Sequence, residues 1–141
     1  MALYDDLASC AVACQLGAQK TLEIMFAMGP KPADPAQALL WEQQTTRLQG
    51  QLNSLSAMNS KLTAMAVIEG LKDYAADIEA VGAVAKAAQA RIKQIQSVSD
   101  GLTRLAKILD LGLAILAAAA APSPATIAAV VKAGDAVAQG V

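Results

Sequence analysis

The chain has 141 residues, of which 55% are apolar but only 3% aromatic. Its formal net charge is -1 and it contains no histidine. That excludes a globally basic nucleic-acid binder and removes the commonest general base and metal ligand.

Nearly a quarter of the residues are alanine, the best helix former because it loses no side-chain entropy. No segment alternates β-branched and aromatic residues with period two. The class is therefore all-α, and the length fits one domain. The N-terminus carries Asp5 and Asp6 where a secretory leader would be basic. Leu7-Ala8-Ser9-Cys10 matches a lipoprotein cleavage box, but too little chain precedes it for a leader. A cytoplasmic location is the default, with export by a machine that reads no cleavable leader left open.

The first helix is expected over about 3–28. Leu3, Leu7, Cys10, Cys14, Gly17, Thr21, Ile24 and Met28 follow a 4-3 spacing, the seam of coiled-coil-like packing. Gly29 and Pro30 end it. A second helix, about 35–67, opens with Asp34 as N-cap and Pro35 in its first turn. Its seam reads Trp41, Thr45, Leu48, Leu52, Leu55, Asn59, Leu62 and Ala66. Asn59 either fixes register from a core position or lies partly exposed at the end of the helical array.

The frame slips between Ala66 and Leu71, with Gly70 inside the slip, so a reversal is expected there. A continuous helix with a stammer is the rival. A new seam runs Leu71, Tyr74, Ile78, Val81, Ala85, Ala88, Ile92, Ile95, Ser99, Leu102, Ala106, Leu109, Leu113, Leu116 and Ala120. Ser97 to Gly101 offers a break with Ser99 as cap, giving helices 71–97 and 100–121. Unbroken, 71–121 would be a rod roughly 75 Å long.

The last helix is expected over about 125–139, after Pro122-Ser123-Pro124. Ile127, Val130, Gly134 and Val137 fall on one side, and Ala128, Val131, Asp135 and Ala138 on another. The expected architecture is an antiparallel helical bundle of about four to five helices with heptad-like seams and a C-terminal apolar helical hairpin.

Leu111 to Val131 has no charge. A membrane-spanning helix needs about 20 apolar residues, but the prolines divide this stretch. Its arms have eleven and seven residues, and arms of about 16 Å and 10 Å do not cross a hydrocarbon core about 30 Å thick. A packing hairpin is the reading, and a re-entrant hairpin stays open.

Charge is segregated along the third seam. Glu69, Asp73, Asp77 and Glu79 oppose only Lys72, whereas Lys86, Arg91, Lys93, Arg104 and Lys107 oppose only Asp100. Asp100 and Arg104 form a favourable i,i+4 pair. The segregation reads as a solvated face, as electrostatic docking of a second copy, or as contact with an anionic membrane.

Two cysteines one turn apart, Cys10 and Cys14, share a helix face. They are too few for a structural zinc site and poorly placed for a disulfide. They read as two small core hydrophobes. The acidic stripe lacks the Glu-x-x-His motifs of a paired-metal site, and no glycine-rich phosphate loop or nucleophile motif is present.

The leading expectation is a non-enzymatic structural or interaction protein that self-assembles as a homo-oligomer or with a helical partner protein. Leu113, Leu116, Ile127 and Val130 would make the apolar contact, with Lys86, Arg91 and Lys93 the charged one. No metal, cofactor, nucleic acid or small-molecule substrate is expected. The alternative is a membrane-active protein, pore-forming or translocation-associated, that inserts the 111–131 hairpin. An enzyme or metal protein using Cys10 and Cys14 ranks third.

Overall fold

A computed structural model describes residues 2–141, and the described chain is all-helical. Six α-helices occur: α1 (Ala2–Ala27), α2 (Pro35–Lys61), α3 (Met65–Leu71), α4 (Ala75–Ile92), α5 (Val98–Ala120) and α6 (Pro124–Gly140). A 3-10 turn, Lys72–Tyr74, joins α3 to α4.

The α1 seam is buried throughout its helical length, from Leu3 to Ile24. Ala11, Ala13 and Ala18 are buried beside it, so α1 meets α2, α4 and α5 on adjoining faces. Small residues permit this. A methyl group on Gly17 would lie 3.3 Å from Leu55 Cδ1, and one on Gly82 of α4 would lie 2.9 Å from Asp6 Cα. The α1–α4 contact is therefore near backbone-to-backbone, a spacing that only glycine tolerates.

Gly29 ends α1 at φ 68°, the left-handed conformation that favours glycine. Asp34 caps α2, its Oδ2 accepting from the Gln37 backbone N–H at 3.0 Å, with Pro35 in the first turn. Trp41 Nε1 donates to the Gly29 carbonyl at 3.2 Å, and Lys31 pairs with Glu42. These bonds lay the 29–34 connection against the start of α2.

Burial in α2 differs from the sequence reading. Leu48, Leu55 and Leu62 are buried as expected, but Gln51 and Met58 occupy the alternate core positions, not Leu52 and Asn59. Asn59 is half-buried at the rim, the second of its two readings. Trp41 and Thr45 are also only half-buried, because residues 35–47 precede the packed part of the helix.

The helix break falls earlier than the Ala66–Leu71 slip suggested, and a second interruption, the 3-10 turn at Lys72–Tyr74, follows α3. Helix α2 ends at Lys61 rather than near residue 67, and the chain turns at 62–64. Gly70 lies within α3, where a methyl group would strike the Ala119 backbone of α5. Glycine here answers to close helix approach, not to a turn.

The segment 71–121 is broken. Helix α4 stops at Ile92, and Ser97 caps α5, its Oγ accepting from the Asp100 N–H at 3.0 Å. The cap expected at Ser99 is two residues earlier. The break resets the frame. In α4 the seam Ile78, Val81, Ala85, Ala88 and Ile92 is buried as read. In α5 the buried set is Gly101, Leu105, Ile108, Leu111, Gly112, Ile115 and Ala118. Gly101, Leu105, Ile108, Gly112 and Ile115 each lie one residue before the expected Leu102, Ala106, Leu109, Leu113 and Leu116.

Ser123 and Thr126 form a reciprocal capping box at the start of α6. Ile127, Val130, Gly134 and Val137 are buried, whereas Ala128, Val131, Asp135 and Ala138 are exposed. Helix α6 packs on α5 and α4. The buried residues of all the α-helices form one contiguous core.

Candidate functional site

The residues singled out for an apolar contact do not form one surface. Leu113 is 50% exposed on α5, and Leu116 is partly buried against the core. Ile127 and Val130 are 5% and 0% exposed and face inward from α6. The frame shift in α5 explains the split, because it turns Leu113 outward while Leu111 and Ile115 take the core.

The charged residues do share an element. Lys86 is exposed on the second half of α4, Lys93 is exposed at its C-cap just past Ile92, and Arg91 is half-buried between them. Arg91 Nη1 donates to the Ala138 carbonyl at 3.2 Å, and its buried Nε has no partner. The ammonium end of Lys107 lies against Gly140. Helix α6 has no basic residue in its own last turn, so α4 and α5 supply two cations to the negative end of its dipole.

Asp73 lies in the 3-10 turn just before α4, and Asp77 and Glu79 lie in its first half; all three are exposed. Among the described residues the ion pairs are Lys20–Glu23, Lys31–Glu42, Lys72–Glu69 and Arg104–Asp100. The Arg104–Asp100 pair, at 3.6 Å, is the one the sequence predicts. None includes Asp73, Asp77, Glu79, Lys86, Arg91 or Lys93. Apart from the half-buried Arg91, the acidic start and the basic end of α4 thus face solvent, and none of these groups has an ionic partner among the described residues.

Asp6 of α1 packs beside this acidic start, against Gly82. Burial raises its carboxyl above the ordinary value of 3.8, and the charges of Glu79 and Asp5 raise it further.

Cys10 and Cys14 are buried at 2% and 1% exposure. Burial pushes both thiols up to about 12, with Cys14 and then Asp6 adding to the shift at Cys10. A thiol held that high stays protonated at neutral pH, and the protonated form is a poor nucleophile. No group of three or more Cys, Asp or Glu residues converges on a metal-sized space among the described residues.

A polar knot in the core has no counterpart in the sequence reading. Gln51 Nε2 donates to Thr21 Oγ1 and to the Gly101 carbonyl, both at 3.1 Å, and Thr21 Oγ1 donates to the Gly17 carbonyl at 2.8 Å. It ties α1, α2 and α5 together. Its signal is the 3-4 spacing of Leu48, Gln51, Leu55, Met58 and Leu62, which places a glutamine among core positions.

A groove of about 640 Å³ lies between the first half of α2 and the start of α5. Its wall mixes Leu39, Leu40 and Leu102 with Gln43, Gln44 and Arg47. Glu42, Thr46, Ser99 and Thr103 complete the wall.

Comparison of the chain with family models, with curated proteins and with solved structures finds no match.

Proposed function

We propose that the chain is a non-enzymatic helical interaction protein that associates with copies of itself. The observation that carries this reading is the charge order of α4. Acidic side chains occupy its start and basic ones its end, none of them in an ion pair among the described residues. Such an order is complementary to its own reverse, and complementary charge sets both partner choice and register.

In this reading the helices form an antiparallel bundle with heptad-like seams, closed at the C-terminal end by the α5–α6 hairpin. Support comes from the pairing of positions. Thr21 meets Gln51, and Gly17 meets Leu55, so residue numbers rise along α2 as they fall along α1. The same holds where Ile24 lies at Gly101 and Cys14 near Gly112. Leu113, exposed on the α5 surface in a groove shared with α2, would add an apolar contact away from the charged one, while Ile127 and Val130 hold the hairpin closed from within.

The membrane-active alternative asks more of the molecule. No helix of the described residues is long and apolar enough to cross a membrane. Insertion of 111–131 would also require Ile127 and Val130 to leave the core.

Light scattering coupled to gel filtration tests the reading. We expect a mass above that of one 14.4 kDa chain, falling toward it as salt rises, because exposed charges are screened. A single-chain mass at every concentration, in low salt, refutes self-association. Flotation with anionic vesicles tests the alternative, which requires the protein to float.

A further inference from the structure

We propose that the outer face of α4 is where a second copy docks, its own α4 running the opposite way, so that Glu79 of each copy faces Lys93 of the other. This inference rests on the self-association reading above and names the surface and register that reading leaves open.

The face lies directly opposite the buried seam of α4. Ala76, Ala80, Ala83, Ala87 and Ala90 are all exposed along it, at the 4-3 spacing that keeps a helix stripe in line. Alanines alone would mark nothing more than a solvated helix. What distinguishes this stripe is the charge on its two borders.

Glu79, Lys86 and Lys93 recur every seven residues on the border next to α1, Lys93 being the C-cap residue just past Ile92, whose backbone angles are still helical. Asp77, Val84 and Arg91 do so on the border next to α6. When two such stripes cross antiparallel about a two-fold axis, layers pair residues whose numbers add to a constant. Ala83 then meets Ala87, and Ala80 meets Ala90. The same axis brings Glu79 to Lys93 and Asp77 to Arg91, so a symmetric pair gains four complementary contacts.

A parallel pairing would set acid on acid and base on base, which is destabilising. The charge order therefore selects the antiparallel partner, and a second copy meets it without any further requirement. Small side chains allow the two backbones to come close. Helix α4 has 18 residues, about 27 Å.

Two helices of that length bury less than the ~800 Å² per partner of a standard interface, so neighbouring helices add to the contact. Val12 of α1 shares a groove with Lys86 and is 40% exposed. Val131 of α6 is 36% exposed and lies on the side of α6 that carries Ala138, the acceptor of Arg91.

The acidic border is also crowded in the single chain, where Glu79 and Asp5 both push up the Asp6 carboxyl after burial has done so. An ammonium group arriving at Glu79 relieves that repulsion. The Arg91 contact is the weaker of the two kinds, because its guanidinium is already bonded to Ala138. Lys86 falls near the axis and faces its own copy.

Charge reversal on the full chain, read by sedimentation velocity over about 1 μM to 1 mM, tests the register at affinities expected of a small interface. Both sites are exposed, and circular dichroism verifies the fold of each variant. Glu79→Lys and Lys93→Glu should each weaken association by about tenfold or more. The double variant should regain it to within about threefold, since the reversed charges face each other again. Lys86→Ala should strengthen association by removing the repulsion on the axis.

Oligomers that survive both single reversals unchanged would overturn this surface while leaving self-association intact. Two weakened singles without rescue in the double would overturn the antiparallel register. A wild-type chain that never exceeds one copy would overturn the underlying reading as well.

Discussion

Helices α1 and α2 are nearly equal in length, 26 and 27 residues, yet they use that length differently. Helix α1 buries residues from Leu3 to Ile24 and touches three long helices. Helix α2 buries Leu48, Gln51, Leu55 and Met58, all from its midpoint onward, and its first half leaves Leu39 and Leu40 more than half exposed. A helix surrounded on several faces is held by packing along its whole length. One that is packed along half its length must be held elsewhere by its cap and by local bonds. Stability is thus local to where the core reaches.

The largest effect expected from this contrast is at Leu55. It is 0% exposed, against Gly17 of α1. Leu55→Ala should cost about 3 kcal/mol in urea unfolding, the lost burial plus a cavity. Leu40→Ala, at a position 54% exposed, should change stability by less than about 0.5 kcal/mol. Equal costs for the two would break the contrast, because they would mean that both halves of α2 are equally packed.

Gln51 marks the boundary between the two halves. Gln51→Ala should cost about 2 kcal/mol, combining lost volume with two buried hydrogen bonds. Gln51→Met keeps most of the volume, so its cost of about 1 kcal/mol would isolate the bonds to Thr21 and Gly101. A methionine variant as stable as the parent would show that the knot contributes specificity rather than stability.

The same contrast explains what the sequence could convey. The α1 seam was legible because burial on several sides leaves few alternative frames, and Gly29 and Asp34 announce their turn through backbone chemistry alone. In α2, Leu52 and Asn59 competed with Gln51 and Met58 for the core at equal spacing. Tertiary neighbours decided between them, and a neighbour is not readable from spacing. In α5 the error had a single cause. The expected frame runs across residues 93–97, where the chain leaves helix, so that Gly101, Leu105, Ile108, Gly112 and Ile115 are buried in place of Leu102, Ala106, Leu109, Leu113 and Leu116. Hence Leu113, read as a seam residue, is exposed. The charge order of α4 was legible in full, while the alanine face between its borders became visible only when α1 and α6 were placed on either side.

Caps should show the contrast on a smaller scale. Ser97→Ala removes the acceptor for the Asp100 N–H at the start of α5, next to the buried Gly101. It should cost about 1 kcal/mol of global stability. Asp34→Ala removes an equivalent bond from the exposed end of α2. Its expected effect is fraying, a loss of helical circular dichroism and of amide protection over the first turns, with little shift of the urea midpoint. A global cost equal to that of Ser97→Ala would mean that the first half of α2 unfolds together with the core.

The smallest expected effect lies at the start of α1, where close packing against Gly82 places a carboxylate beside two others. The Asp6 carboxyl is raised above its ordinary 3.8 by burial, by Glu79 and by Asp5. A carboxyl whose folded value exceeds its unfolded value favours the fold while protonated. That contribution is complete below the unfolded value and is lost as pH rises through the folded one. At neutral pH the ionised group therefore opposes folding. Asp6→Asn, measured in dilute protein, should stabilise the chain by about 0.3 kcal/mol at pH 7, a small gain because solvent screens the charge. The gain should shrink as pH falls through the carboxylate range, since the parent residue is then neutral too. A variant less stable than the parent at pH 7 would mean that the Asp6 carboxylate is held by a favourable contact at the α1–α4 face, and that burial and its acidic neighbours do not govern it.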